Sequence, residues 1–212
     1  MFCAPDASNQ IPDTIKAVPW IIDYAIVLER MREQRMRCHY YNSGAFGFTS
    51  DVGVRHVGWI GPDDPTIRQE ARELAIQIPP PHEQNLAAML RRAWLEQIGT
   101  PAWVMPKSHW AHELQHGSGD WMPALLEHIG IDAGHLAGRS NAAAIEFAPE
   151  ESPLLEHFAR RLLEMLHGSD FLIAFPRRPV ICALHHHKQL WWSSSDEQLI
   201  NELCAMRPSE AT

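Results

Sequence analysis

Ser108 to Trp121, SHWAHELQHGSGDW, is the stretch whose residue types and spacing could do chemistry. His112, Glu113 and His116 fit H-E-x-x-H, the pattern in which two imidazoles hold a zinc ion and the glutamate takes a proton from its bound water. At about 100° per residue, His112 and His116 fall on one face of a helix, so both rings can reach a common ion. Trp110, Ala111 and Leu114 fall on the other side and supply an apolar anchor. His109 joins the histidine face, but it stands about 10 Å along the axis from His116, too far for one ion to take both.

Zinc hydrolases add a third protein ligand and keep a fourth position open. Asp120, past a Gly-Ser-Gly link, is the nearest carboxylate and is taken as that ligand. The same residue would also serve as the N-cap of a helix starting at Trp121. Glu127 is set aside, because Leu125-Leu126-Glu127-His128 repeats as Leu154-Leu155-Glu156-His157, where the leucines face a core and the glutamate faces water. His135, in a glycine-flanked segment read as loop, is a further imidazole. Gly119 stands three residues past the second histidine, as in metzincins, but Met122 occupies the place of that family's third ligand, so the family is not assigned.

The chain carries its own control. His116-Gly117-Ser118-Gly119-Asp120 has a near-copy at His167-Gly168-Ser169-Asp170, at the end of another helix. Histidine in a last turn followed by glycine stabilises a helix end without metal, so the two copies cannot both be zinc sites.

His185-His186-His187 ends an apolar run from Val180 to Leu184. Alternation puts His185 and His187 on one face of a strand and His186 on the other. Strand ends border active sites in many sheet enzymes, which opens a ligand or acid–base role; a solvated hairpin is the alternative. Trp103, Trp110, Trp121 and the pair Trp191-Trp192 flank these stretches, as walls of a pocket or as core filling. There is no G-x-S-x-G, and Gly44, Gly47 and Gly53 make no phosphate loop.

Composition bounds the rest. The chain has 212 residues, 45% hydrophobic and 21% charged, ordinary for a globular protein long enough to bury a core. A net charge of −8 argues against nucleic acid and acidic membranes as partners. Cys3, Cys38, Cys182 and Cys204 show no C-x-x-C, no apolar run reaches a membrane span of about 18 residues, and no secretory leader is visible, so a reducing cytoplasm is expected.

Periodicity predicts a helix from Ile15 or Pro19 to Arg35 and a β-hairpin from Arg37–Phe48 and Val54–Ile60. It predicts a helix capped by Asp63-Asp64-Pro65 and running to Ala75, and another over 83–98 closed by Gly99. Pro79-Pro80-Pro81 reads as a rigid loop. A short helix over 120–129, a loop over 132–141 and a strand over 143–147 follow. A helix over 154–167, strands over 171–175, 180–186 and 190–193, and a closing helix over 196–206 complete the chain.

Hairpins outnumber helical crossovers, so the expected fold is α+β: a mixed, largely antiparallel sheet built from hairpins, with helices packed against it. One domain is expected over 12–206, between tails at 1–11 and 207–212. The functional expectation is a zinc-dependent hydrolase with His112, His116 and Asp120 on the metal and Glu113 as general base. The alternative is a non-catalytic cytoplasmic domain that binds a small molecule, a peptide or another protein.

Overall fold

The computed structural model describes residues 19–40, 46–50, 53–61, 67, 69–117 and 119–208. The expected tail at 1–11, the cap at Asp63-Asp64-Pro65 and the last residues of the C-terminal tail lie outside them.

Strand β1 (Trp20–Asp23) runs straight into α1 (Tyr24–Glu33), and β2 (Met36–Tyr40) pairs with β3 (Phe46–Ser50) as a separate two-stranded sheet. There follow β4 (Arg55–Ile60), α2 (Gln69–Glu73), β5 (Ala75–Gln77), α3 (His82–Ala93) with a π-helical turn over Trp94–Ile98, and β6 (Ala102–Pro106). Next come α4 (Trp110–His112) with a π-helical turn over Glu113–Gly117, α5 (Trp121–His128), α6 (Ala133–Gly138), β7 (Ala142–Phe147) and α7 (Ser152–Met165). β8 (Phe171–Ala174), β9 (Val180–His185), β10 (Gln189–Ser194) and α8 (Glu197–Ala205) close the chain.

Eight strands form one sheet in the order β1-β7-β6-β8-β9-β10-β4-β5. Every pairing is antiparallel except β4 with β5. The fold is therefore α+β, as expected. The strands alternate between two cores, as the period of two requires. Ala102 and Val104, Phe171 and Ile173, and Val180, Cys182 and Leu184 face the larger one, with residues of α3, α5, α7 and α8. Trp103 and Met105, Leu172 and Ala174, and Ile181 face the smaller one, which Val27 and Met31 of α1 cover. Trp110 and Trp192 are buried in the larger core and Trp103 in the smaller one, so these three of the flanking tryptophans fill core.

Several local expectations are corrected. The segment 20–23 is a strand on β7, not the first turn of a helix, with Ile21 paired with Ile145 and partly buried against the larger core. The hairpin lies one strand earlier than expected: β3 pairs with β2, and β4 instead joins β10 and β5. The short strands β5 and β6 carry no alternation to betray them. The expected loop at 132–141 contains α6, whose N-cap Asp132 accepts the His135 backbone N–H, a cap of the kind worth about 1 kcal/mol. Gly99 does close the 82–98 helix in the left-handed conformation, at φ +69°, where its N–H reaches the Trp94 carbonyl.

The α7 face away from the site carries a pH-sensitive contact. His157 lies with its ring centre 4.5 Å from that of His128 on α5. Burial, then the charge of His128 and of Arg160 and Arg161, push its pKa below the ordinary value, against a smaller pull from Glu164. A histidine whose folded pKa is depressed binds its proton more readily when unfolded. Stability is thus full above the unfolded value of about 6.5 and falls as pH drops toward the folded pKa. His157→Gln is expected to flatten this loss, read as a smaller change in urea midpoint between pH 7.5 and pH 5.

Candidate functional site

The site is organised by strand register at one end of the sheet. β6 pairs with β8 so that Pro106 faces Phe171, and β8 pairs with β9 so that Phe171 faces Leu184. The residues just past those pairs, Lys107, Asp170 and His185, are therefore neighbours. The Lys107 N–H donates to the Asp170 carbonyl at 2.9 Å, extending the ladder by one rung.

From this end, Lys107 and Ser108 lead into α4. Trp110 pins that helix to the core: it is buried, its indole N–H donates to the Ala143 carbonyl at 2.9 Å, and its ring meets Phe171 edge-on at 5.7 Å. With Trp110 inward, His112 and His116 are exposed on the opposite side, their ring centres 5.3 Å apart. Two imidazoles on one tetrahedral ion, at a metal–nitrogen distance of about 2.0–2.1 Å, have ring centres about 5 Å apart. The spacing fits a shared ion. The π-helical turn over Glu113–Gly117 widens the helix at this point, a feature frequent at functional sites.

Glu113 lies differently from the expectation. It does not stand beside the two rings at the surface; it is fully buried. One carboxylate oxygen accepts the Ser169 hydroxyl at 2.9 Å and the other faces the Ser108 hydroxyl at 3.4 Å. Glu113 thus ties the motif helix to the loop that follows α7. That loop is His167-Gly168-Ser169-Asp170, the near-copy of the motif's own ending. Gly168, at φ +85°, lets the chain leave α7 and turn toward β8.

His116, the first residue of one copy, and all four residues of the other border one cavity. Lys107, Ser108, His112, Glu113, His116, His167, Gly168, Ser169 and Asp170 line its volume of about 340 Å3. His167 is exposed at the rim.

Asp120 is not in this cavity. It stands at the N-cap position of α5, where its side chain makes no capping hydrogen bond, and it lines a separate hollow with Glu127 and Asp132. Glu127 is exposed over buried Leu125 and Leu126, as the parallel with α7 requires, and His135 is exposed on α6.

Asp170 has the densest set of partners. Its Oδ2 is 3.0 Å from the Lys107 ammonium, and its Oδ1 takes the His186 ring Nδ1 at 2.9 Å and the His186 backbone N–H at 3.2 Å. Burial works to raise the Asp170 carboxyl. The His186 hydrogen bond and the charges of His185 and Lys107 outweigh it and hold the carboxyl below its usual range. Burial lowers the His185 pKa, against the pull of Asp170 and with the help of His186 and His187.

His185, His186 and His187 stand around the β9–β10 turn. Each can offer one ring nitrogen such that all three atoms lie within 4.8 Å of one another; no other group of three or more metal-ligating side chains among the described residues does this. Sequence reasoning offered this run a ligand or acid–base role against a solvated hairpin; it passed over Lys107 and named Ser169 and Asp170 only as part of a helix ending. The signal that could have found the last two was the repeated His-Gly-Ser, which served as an argument against chemistry. No protein-family model, curated protein or solved structure matches the chain.

Proposed function

We propose that the chain is a metal-dependent hydrolase whose reaction centre is the cavity between α4 and the 167–170 loop. The observation that carries this reading is the convergence of His112, Glu113 and His116 with His167, Ser169 and Asp170 around one space. His112 and His116 would hold a zinc ion. Asp120 lines another hollow, so the third ligand would be His167, the further imidazole that lines this cavity. An ion held in this way supplies a water acidic enough to attack at neutral pH.

The chain's own residues then do the rest. Glu113 would act as general base through the Ser169 hydroxyl, which donates to it and borders the cavity. The Lys107 ammonium, half-exposed and paired with Asp170 at the same rim, would have N–H groups left to donate to an oxygen that becomes negative in the reaction. The substrate class that fits is a small ester, amide or phosphate ester with a polar group.

The burial of Glu113 favours a second reading, in which its carboxylate is a strut between α4 and the 167–170 loop and the cavity binds a small polar ligand without chemistry. Three variants separate the readings. In untagged protein, His112→Ala and His116→Ala are each expected to lose one equivalent of zinc by elemental analysis. Glu113→Gln, which keeps its hydrogen-bonding capacity, is expected to keep the metal and to lose hydrolysis of chromogenic esters by 100-fold or more, the order of a general-base contribution of about 10²–10⁴. Metal content unchanged by both histidine substitutions sinks the reading.

A further inference from the structure

We infer that His185, His186 and His187 form a binding site of their own for one divalent transition-metal ion, with Asp170 as the positioning residue that orients His186. The site is separate from the His112–His116 pair, and its existence does not depend on the hydrolase reading.

Strand geometry explains why three consecutive histidines can converge. In a continuing strand, alternate side chains would point to opposite faces. Here the register pairs His185 with Gln189, so His186, His187 and Lys188 are the three residues of a hairpin loop. The Lys188 N–H closes the turn on the His185 carbonyl at 3.1 Å, and Lys188 takes the left-handed conformation at φ +60°. That is the usual construction of a three-residue hairpin. The curl brings the rings together: the centres of His185 and His186 lie 4.3 Å apart, and those of His186 and His187 also 4.3 Å.

The ring nitrogens are close to a coordinating arrangement. Donors on one tetrahedral ion at about 2.0–2.1 Å are about 3.3 Å from each other; the three ring nitrogens lie within 4.8 Å of one another, and an ion would draw them together by turning the stacked His185 and His186 rings. The Asp170 carboxylate takes the proton-bearing Nδ1 of His186 at 2.9 Å, which leaves Nε2 with its lone pair. A ligating histidine held by a carboxylate on its other nitrogen is the recurrent support of metal centres. The His187 backbone N–H reaches the His185 Nδ1 at a long 3.3 Å, a weak contact for a metal to compete with.

The neighbouring cations do not oppose binding. Lys107 is paired with Asp170, and Lys188 with Glu83 at 2.5 Å. Three imidazoles with no thiolate select zinc, nickel or copper over magnesium or calcium, and leave a coordination position open.

The test uses the full, untagged chain already carrying His112→Ala and His116→Ala, so that the other pair is removed. After dialysis against zinc, then separately nickel, and gel filtration, one equivalent of ion is expected to remain. His186→Ala with His187→Ala should bring it to zero while the circular dichroism spectrum and a single cooperative thermal transition are kept, since both residues sit half-buried in a turn outside the two cores. His187→Gln, the milder change, should lower affinity as well. Asp170→Asn should weaken binding 10–100-fold, the range seen when an orienting carboxylate is removed, while the visible spectrum of bound cobalt keeps its shape. No retained ion in the starting variant, or one equivalent that survives loss of His186 and His187, overturns the inference. The hydrolase reading is judged separately, from the metal lost between the native chain and that starting variant.

Discussion

Trp110→Ala is expected to lower the unfolding free energy by about 3–5 kcal/mol, the cost of emptying a buried tryptophan site, and to abolish zinc retention at the His112–His116 pair. Trp110 is only 2% exposed and belongs to the larger core, so its removal leaves a cavity under α4 rather than a surface notch. Its contacts are with Ala143 of β7 and Phe171 of β8, the two elements that fix where the motif helix stands on the sheet. α4 is short, and a helix of this length has no stability of its own in water. The position of His112 and His116 is therefore set by Trp110 more than by the helix that carries them. Trp110→Phe separates the two effects: it keeps most of the volume and the Phe171 contact but loses the hydrogen bond, at about 1 kcal/mol. Urea unfolding should rank the native chain above Trp110→Phe and Trp110→Ala last, and only the alanine variant should lose metal. A Trp110→Ala protein that unfolds like the native chain would show that α4 is held by something else.

The same residue illustrates what could be read from the sequence. The apolar side of the motif helix, Trp110 with Leu114, was visible from spacing, and so was the exposure of His112 and His116 opposite it. α7 and the run β8-β9-β10 were equally legible, because long amphipathic or strongly β-favouring segments bounded by glycine and proline carry their period openly. β6 was not. Its five residues, Ala102 to Pro106, are buried on both faces, so the strand shows no alternation. β1 was absorbed into a helix because its four residues abut α1 without a break. α6 has six residues, two of them glycine, too few for a period to emerge.

These misses explain the gap at the site. Without β6 there is no register that sets Lys107 beside Asp170, and without that register the second His-Gly-Ser is only a helix ending. Residue types named the histidines. Antiparallel pairing of strands far apart in the chain decides what they face, and that information lives in no local window. Glu113 shows the reverse limit: its spacing is right for a base beside a metal, while its burial is set by Ser169, 56 positions away.

Asp170 is where the two histidine groups meet, and its replacement carries the other large expected effect. The side chain is 13% exposed and accepts from the Lys107 ammonium, the His186 ring and the His186 backbone. Breaking a fully buried ion pair by removing one member costs about 3–5 kcal/mol. Lys107 is 44% exposed and can find water instead, so Asp170→Ala is expected to cost less, about 2–3 kcal/mol. The loss should be pH-dependent in a defined direction. The Asp170 carboxyl is held below its ordinary pKa in the fold, so its contribution is present above the unfolded value of about 3.9 and disappears as pH falls through the folded value. The native chain should therefore lose stability on acidification through that window, and Asp170→Asn should lose less over the same interval while starting lower at pH 7. Hydrogen exchange should locate the damage. Protection is expected to fall at His186, whose backbone N–H bonds to the Asp170 carboxylate, and to stay unchanged at Lys107, whose N–H bonds to the Asp170 backbone carbonyl, and in α7 and α8. If Asp170→Asn matches the native chain at pH 7 and follows the same acid curve, the carboxylate is not what joins the β6, β8 and β9 ends. The neighbourhood of the two histidine groups would then rest on strand pairing alone.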